Sequence, residues 1–130
     1  CLYNDLLVYG SQNKLWIVCQ GSVRSLGIDV MMAAPKDHRV AFELSEFYLH
    51  RHSFSYENKL KSSTIEQHRY QLKEYEATIA YFEAEEERFI QLVARGTGLS
   101  EEDVRKLYAD PRHVFPDEAI ELGLIDHILK

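Results

Sequence analysis

Two residues of this chain could do chemistry together, Ser25 and His50. Ser25 lies in the stretch Gly21-Ser22-Val23-Arg24-Ser25-Leu26-Gly27, after an apolar run at 15–19 and before a mostly apolar stretch at 26–34. A serine hydroxyl is a poor nucleophile until a base takes its proton, and the oxyanion it creates needs fixed N–H donors. A serine placed where a helix begins gains from free backbone amides and from the positive end of the helix dipole. Ser25 falls at such a point, and the next amide, that of Leu26, is a candidate oxyanion donor. The competing reading is that Ser25 is only a helix N-cap.

A base must come from elsewhere. Of six histidines, His38, His68, His113 and His127 fall in turn-like or helical surface sequence and read as solvated. "FYLHRH" differs, because strand alternation puts Tyr48, His50 and His52 on one face and Phe47, Leu49 and Arg51 on the other. His50 ends an apolar strand expected to run parallel to the strand before Ser25. Reactive sites in open α/β sheets lie beyond the carboxyl ends of the strands, so the two side chains should emerge at one edge.

The elements that must position them read as follows. Residues 2–10 suggest a short amphipathic helix stopped by Gly10, and 15–19 a buried parallel strand. A helix over 26–34 stops at Pro35, and strands follow at 39–42 and 47–50. Strand, helix, strand with apolar strands implies a right-handed parallel α/β unit. Residues 57–95 contain no Gly or Pro. Ile65, Leu72, Tyr75, Ile79, Phe82, Phe89 and Val93 form an apolar stripe broken by Glu86, which predicts one long amphipathic helix. Gly96-Thr97-Gly98 ends it, Ser100 to Asp103 resembles a capping box for a helix reaching about residue 109, and a last helix begins at Pro116 or Asp117 with Gly123 as its cap. "LIDHIL" closes as a strand. The Glu83–Glu87 tract reads as a solvated face.

A chain of 130 residues is one domain's worth. Its 21 acidic against 15 basic residues argue against a nucleic-acid partner, and no apolar run approaches the roughly 20 residues of a membrane span. Cys1 and Cys19 form no CxxC and suggest no disulfide framework, and Cys19 reads as a small buried hydrophobe. No metal site or cofactor is expected, and the default compartment is the cytoplasm. The chain opens on Cys rather than Met, which suggests a fragment or a processed protein.

The order of these pieces resembles the proteolytic subunit of the Clp protease (ClpP) family, serine peptidases on a crotonase-like fold. There an apolar strand leads into "GxAASMG", an apolar helix, a hairpin and a strand ending in "MIHQ". The counterparts here are "WIVCQGSVRSLG", "IDVMMAAP" and "FYLHRH". The 25-residue step from Ser25 to His50 is the family's own, and "FPDEAIELGLIDHIL" is similar to its C-terminal pattern. The resemblance implies an α/β fold of repeated β-β-α units with a long projecting handle helix. It implies a single domain over 1–130 with the handle at 57–95, corresponding to the C-terminal portion of that fold. It also implies a serine endopeptidase subunit in a homo- or hetero-oligomeric ring, heptameric and stacked in pairs. Such rings work with an ATP-dependent unfoldase on unfolded polypeptide or peptide, with no nucleic acid and no membrane. Ser25 would be the nucleophile, His50 the base and Leu26 N–H an oxyanion donor.

Three departures stand out. The position matching the family's triad aspartate is Pro111, so Asp110, immediately before it, is the candidate third member. The handle is longer than in the family, and "SFSYENKLKSS" lacks the usual glycines. The apolar stripe is therefore read as a subunit interface of altered shape. Finally, the Gly-rich turn that supplies the second oxyanion amide in the family has no counterpart, which should leave a sheet edge and an apolar face exposed. A silent structural subunit of a mixed ring is the alternative function. A crotonase-type acyl-CoA enzyme and a helical interaction module rank below it.

Overall fold

The computed structural model describes residues 2–51, 53 and 64–130. Helix α1 spans Leu2–Gln12. Strands β1 (Ile17–Cys19) and β2 (Ser22–Arg24) follow, and then the short helix α2 (Leu26–Met31). Strands β3 (Arg39–Phe42) and β4 (Glu46–Leu49) precede the 33-residue helix α3 (Ile65–Thr97). The chain ends with α4 (Glu101–Ala109), β5 (Arg112–Val114), α5 (Pro116–Glu121) and β6 (His127–Leu129).

The strands form two small sheets. One has the order β1-β3-β6, all parallel. The other has the order β2-β4-β5, with β2 parallel and β5 antiparallel to β4. Chain geometry explains the split. Gln20 and Gly21 separate β1 from β2, and Glu43 to Ser45 separate β3 from β4, so the two parallel ladders run on as a stepped pair. Ser45 is fully buried at the second step and donates from Oγ to the Cys19 carbonyl at 3.0 Å, tying the two steps together. β1 is an edge strand of its sheet, and its Val18, with Phe42 and Leu129 on the same sheet, is exposed, as the sequence predicts.

The core lies between the sheets and the helices. Ile28 and Met31 of α2, Phe47 and Leu49 of β4, Phe89, Ile90 and Val93 of α3, Val104 of α4 and Leu124 and Ile125 near the end are all buried. Only the C-terminal third of α3 therefore packs on the domain, while Ile65, Tyr70, Leu72 and Tyr81 stay exposed. Thr64 and Gln67 close a capping box at the start of α3, and Gly98, left-handed at φ 83°, ends it. The Glu87 carboxylate accepts two bonds from Arg105, at 2.9 and 2.7 Å, and so fastens α4 to α3.

A buried charge joins several of these ends. Arg39, 3% exposed, donates from Nε to Ala34 O at 3.1 Å and from Nη1 to Gly96 O and Gly123 O. Gly96 belongs to the last turn of α3, where a helix leaves acceptors unsatisfied, and Ala34 and Gly123 lie in the turns just past the ends of α2 and α5. Burial lowers the Arg39 pKa, against which the nearby Asp126 works.

The expected elements appear with shifted bounds. α1 runs past Gly10, because Ser11 donates back to Val8 O and Asn13 to Tyr9 O, which continue the helical bonding. α2 stops three residues before 34, where the chain turns. β2 and β5 were not expected at all. The part of the expected handle over 57–63 and the glycine-free segment that leads into it lie largely outside the described residues, as does His52. Cys19 is buried as expected, and burial pushes its thiol up to about 11, which keeps it inert at neutral pH.

Asp29 on α2 is the unusual acid of the core. Burial, with the Glu85 carboxylate of α3 adding to it, raises its pKa to about 7. Among the described residues neither Asp29 Oδ1 nor the buried Tyr108 hydroxyl has a hydrogen-bond partner. In the unfolded chain Asp29 ionises near pH 4; in the fold it keeps its proton until about pH 7. Stability is thus unaffected below pH 4, falls between pH 4 and 7, and stays reduced above. Asp29→Asn is expected to match the parent in urea melts at pH 4 and to exceed it by about 1–2 kcal/mol at pH 8, once solvent screening of a half-buried group is allowed for. An advantage independent of pH would show that Asp29 does not titrate in the fold.

Candidate active site

Ser25 stands between β2 and α2, and His50 directly follows β4. The parallel register Arg24↔Tyr48 brings the two to one sheet edge, beyond the carboxyl ends of paired strands. Ser25 is bent into a conformation that L-residues avoid, φ 45° and ψ −118°. Such strain persists where the surroundings impose it, and it points the side chain out of the turn. The close approach behind it depends on Gly27, where an added Cβ would lie 2.9 Å from Val23 Cγ1. Ser25 is the N-cap residue of α2 by position, as the competing reading has it, but its side chain makes no capping bond and turns to His50 instead.

Ser25 Oγ lies 2.6 Å from His50 Nε2. On the other side of the imidazole, Nδ1 lies 2.7 Å from the carbonyl oxygen of Arg51. A carbonyl can only accept, so Nδ1 carries the proton and donates it to Arg51 O. Nε2 is then the bare nitrogen, and the Ser25 hydroxyl donates to it. This is the tautomer that a general base needs.

Among the described residues His50 bonds to Ser25 and to the Arg51 carbonyl, and Asp110 is in neither bond. It is the exposed C-terminal cap of α4 and lines a surface cavity with Leu107, Arg112 and Leu122. The β4–β5 register pairs Tyr48 with His113 and Leu49 with Arg112. Continued one step, it sets Pro111 opposite His50. A proline there offers no side-chain acceptor, and the Arg51 carbonyl meets the imidazole instead. Leu26 is the first residue of α2, so its amide is among those that no intrahelical carbonyl accepts.

Sequence reasoning missed two residues at this edge. His113, read as solvated, is a strand residue of β5, and its ring lies 4.7 Å from that of Tyr48. Arg51 was placed on the face opposite His50, but its contribution comes from the backbone, which no side-chain pattern reveals. Among the described residues no helix is long and apolar enough to cross a membrane.

These features describe an α/β chain whose serine and histidine meet beyond parallel strands, with a long helix packed on the domain by its C-terminal part. The sequence profile of the Clp protease family matches residues 4–130, and the chain belongs to that family. A crystal structure described as that of an enzyme shares the fold, with a TM-score of 0.74 at 15% identity. The alignment covers 99% of this chain and 64% of that one, so the chain spans just under two thirds of that protein's length.

Proposed function

We propose that this chain is the serine endopeptidase subunit of a Clp-type compartmentalised protease. The observation that carries this reading is the bare Nε2 of His50 at 2.6 Å from Ser25 Oγ, with the tautomer set by the Arg51 carbonyl. Ser25 Oγ attacks the peptide carbonyl carbon while its proton passes to His50 Nε2. The carbonyl oxygen becomes an oxyanion, and the Leu26 amide is one donor to it. The imidazolium then gives the proton to the leaving amine as the C–N bond breaks, and water repeats the cycle to release the acyl group from Ser25. Membership of the family supports a ring, heptameric and stacked in pairs, fed with unfolded polypeptide by an ATP-dependent unfoldase, in the cytoplasm. The single domain with α3 as its handle belongs to the same reading.

The position of Asp110 favours one alternative, a silent structural subunit of a mixed ring. The two separate on labelling of the assembled protein with a fluorophosphonate probe. Labelling that is lost in Ser25→Ala supports the peptidase; an assembled ring that takes up no label supports the silent subunit.

Pro111→Asp tests the missing acid. The carbonyl already sets the tautomer, so a carboxylate at 111 would add only stabilisation of the imidazolium. A gain of about 10- to 100-fold in kcat on a fluorogenic peptide is expected, equivalent to about 1.4–2.7 kcal/mol of barrier. Unchanged kcat would mean that position 111 does not face Nδ1.

A further inference from the structure

Among the described residues no acid stands behind His50, and a histidine so placed needs another way to hold its ring and its new charge. The Arg51 carbonyl anchors Nδ1 at one point and leaves the tilt of the ring free. The outward face of the second sheet supplies the rest. Its two-residue repeat puts Glu46, Tyr48 and His50 in one row along β4, and Arg24 of β2 and His113 of β5 are the cross-strand partners of Tyr48 on either side. The His50 imidazole stacks on the Tyr48 ring, with centroids 5.2 Å apart and planes 28° apart.

Tyr48 itself is clamped. The His113 ring lies 4.7 Å from it, and the Arg24 guanidinium carbon 5.7 Å from its centroid. Glu46 holds both, with Oε2 at 3.2 Å from His113 Nδ1 and Oε1 at 3.6 Å from Arg24 Nη2, while Arg24 Nε donates to Ser22 Oγ at 2.8 Å. A bond from Ser22, followed by the charges of His113 and Arg24, holds the Glu46 carboxyl below its ordinary range. The carboxylate thus offsets the Arg24 charge, which would otherwise oppose a proton on His50.

Building on the hydrolase reading above, we propose that Tyr48 is a positioning residue for His50, the platform that fixes the imidazole plane and meets the imidazolium with its π-face. The negative face of an aromatic ring attracts a cation, and offset stacking restrains tilt. Tyr48 touches neither Ser25 nor the reacting carbonyl; it acts through the base.

The test compares the assembled protein with Tyr48→Phe, Tyr48→Leu and Glu46→Gln, reading kcat and KM on a short fluorogenic peptide together with the rate of fluorophosphonate labelling. Phenylalanine keeps the π-face and is expected to retain kcat within about twofold. Leucine is expected to lower kcat and the labelling rate by about 3- to 10-fold, with KM little changed. Glu46→Gln, a change at a partly exposed position that loosens the clamp without touching the core, is expected to lower kcat about 2- to 3-fold and keeps the question open to test if Tyr48→Leu does not fold. Full kcat in the leucine variant or in Glu46→Gln overturns the proposal, and so does a loss confined to KM, which would make Tyr48 a substrate contact. A parent protein that takes no label on Ser25 overturns the hydrolase reading and this one with it. A labelled parent with indifferent variants overturns this one alone.

Discussion

Peptide hydrolysis is expected to fall by at least about 10³-fold in kcat when Ser25 becomes alanine, and His50→Ala is expected to fall as far. The two groups share one proton across a 2.6 Å bond, so neither works without the other. The double variant should be no slower than either single one, because a unit already broken cannot be broken twice. Additive losses would show that Ser25 and His50 act separately. The same site yields a second reading, in stability. Ser25 occupies φ 45°, a region that glycine enters freely and serine does not. Ser25→Gly is therefore expected to be inactive yet more stable than the parent by about 1 kcal/mol. Backbone strain kept at the one residue whose hydroxyl meets the base is what a nucleophile predicts and a surface serine does not.

Arg39→Met is expected to cost about 3–5 kcal/mol and to lower Tm by about 10–20 °C. Methionine fills a similar volume but leaves the carbonyls of Ala34, Gly96 and Gly123 with no donor in a site 3% exposed to water. Each orphaned acceptor costs about 1–3 kcal/mol, partly recovered by removing a buried charge. Arg39→Lys should fall between, since a single ammonium cannot reach the three carbonyls with the geometry of a guanidinium fork. Urea melts settle the matter. A loss under about 1 kcal/mol for methionine would mean that water reaches these carbonyls and that Arg39 is dispensable.

That Ser25 and His50 would meet was legible because the apolar runs at 15–19 and 47–49 announce parallel strands leading to one edge, although the short polar strand β2 intervenes before Ser25. The strand at 39–42 was legible to the residue, since Val40 and Ala41 leave no other reading for a run between two turns. β2 and β5 were not. They are three residues long, and their outward positions carry Ser22, Arg24 and His113, which read as loop. With β5 unseen, His113 could not be placed against Tyr48. Asp110 was proposed by counting along the chain; the fold ends α4 there, and His50 Nδ1 meets the Arg51 carbonyl. The role of Arg39 was hidden for a different reason, because three distant carbonyls meeting at one guanidinium is a fact of tertiary structure with no local signature.

The order of the strands also bears on how the site comes into being. Ser25 and His50 belong to neighbouring strands joined through α2 and β3, a short loop to close, so their pairing is entropically inexpensive and can precede the rest of the fold. β5 reaches β4 only after the whole of α3 and α4 has been traversed. During synthesis Ser25 and His50 therefore emerge close together, and β5, whose register continued one step sets Pro111 opposite His50, follows much later. Ser25 and His50 thus form one local unit, and position 111 is brought up to it by a separate, later segment, so a change there can leave the first two undisturbed.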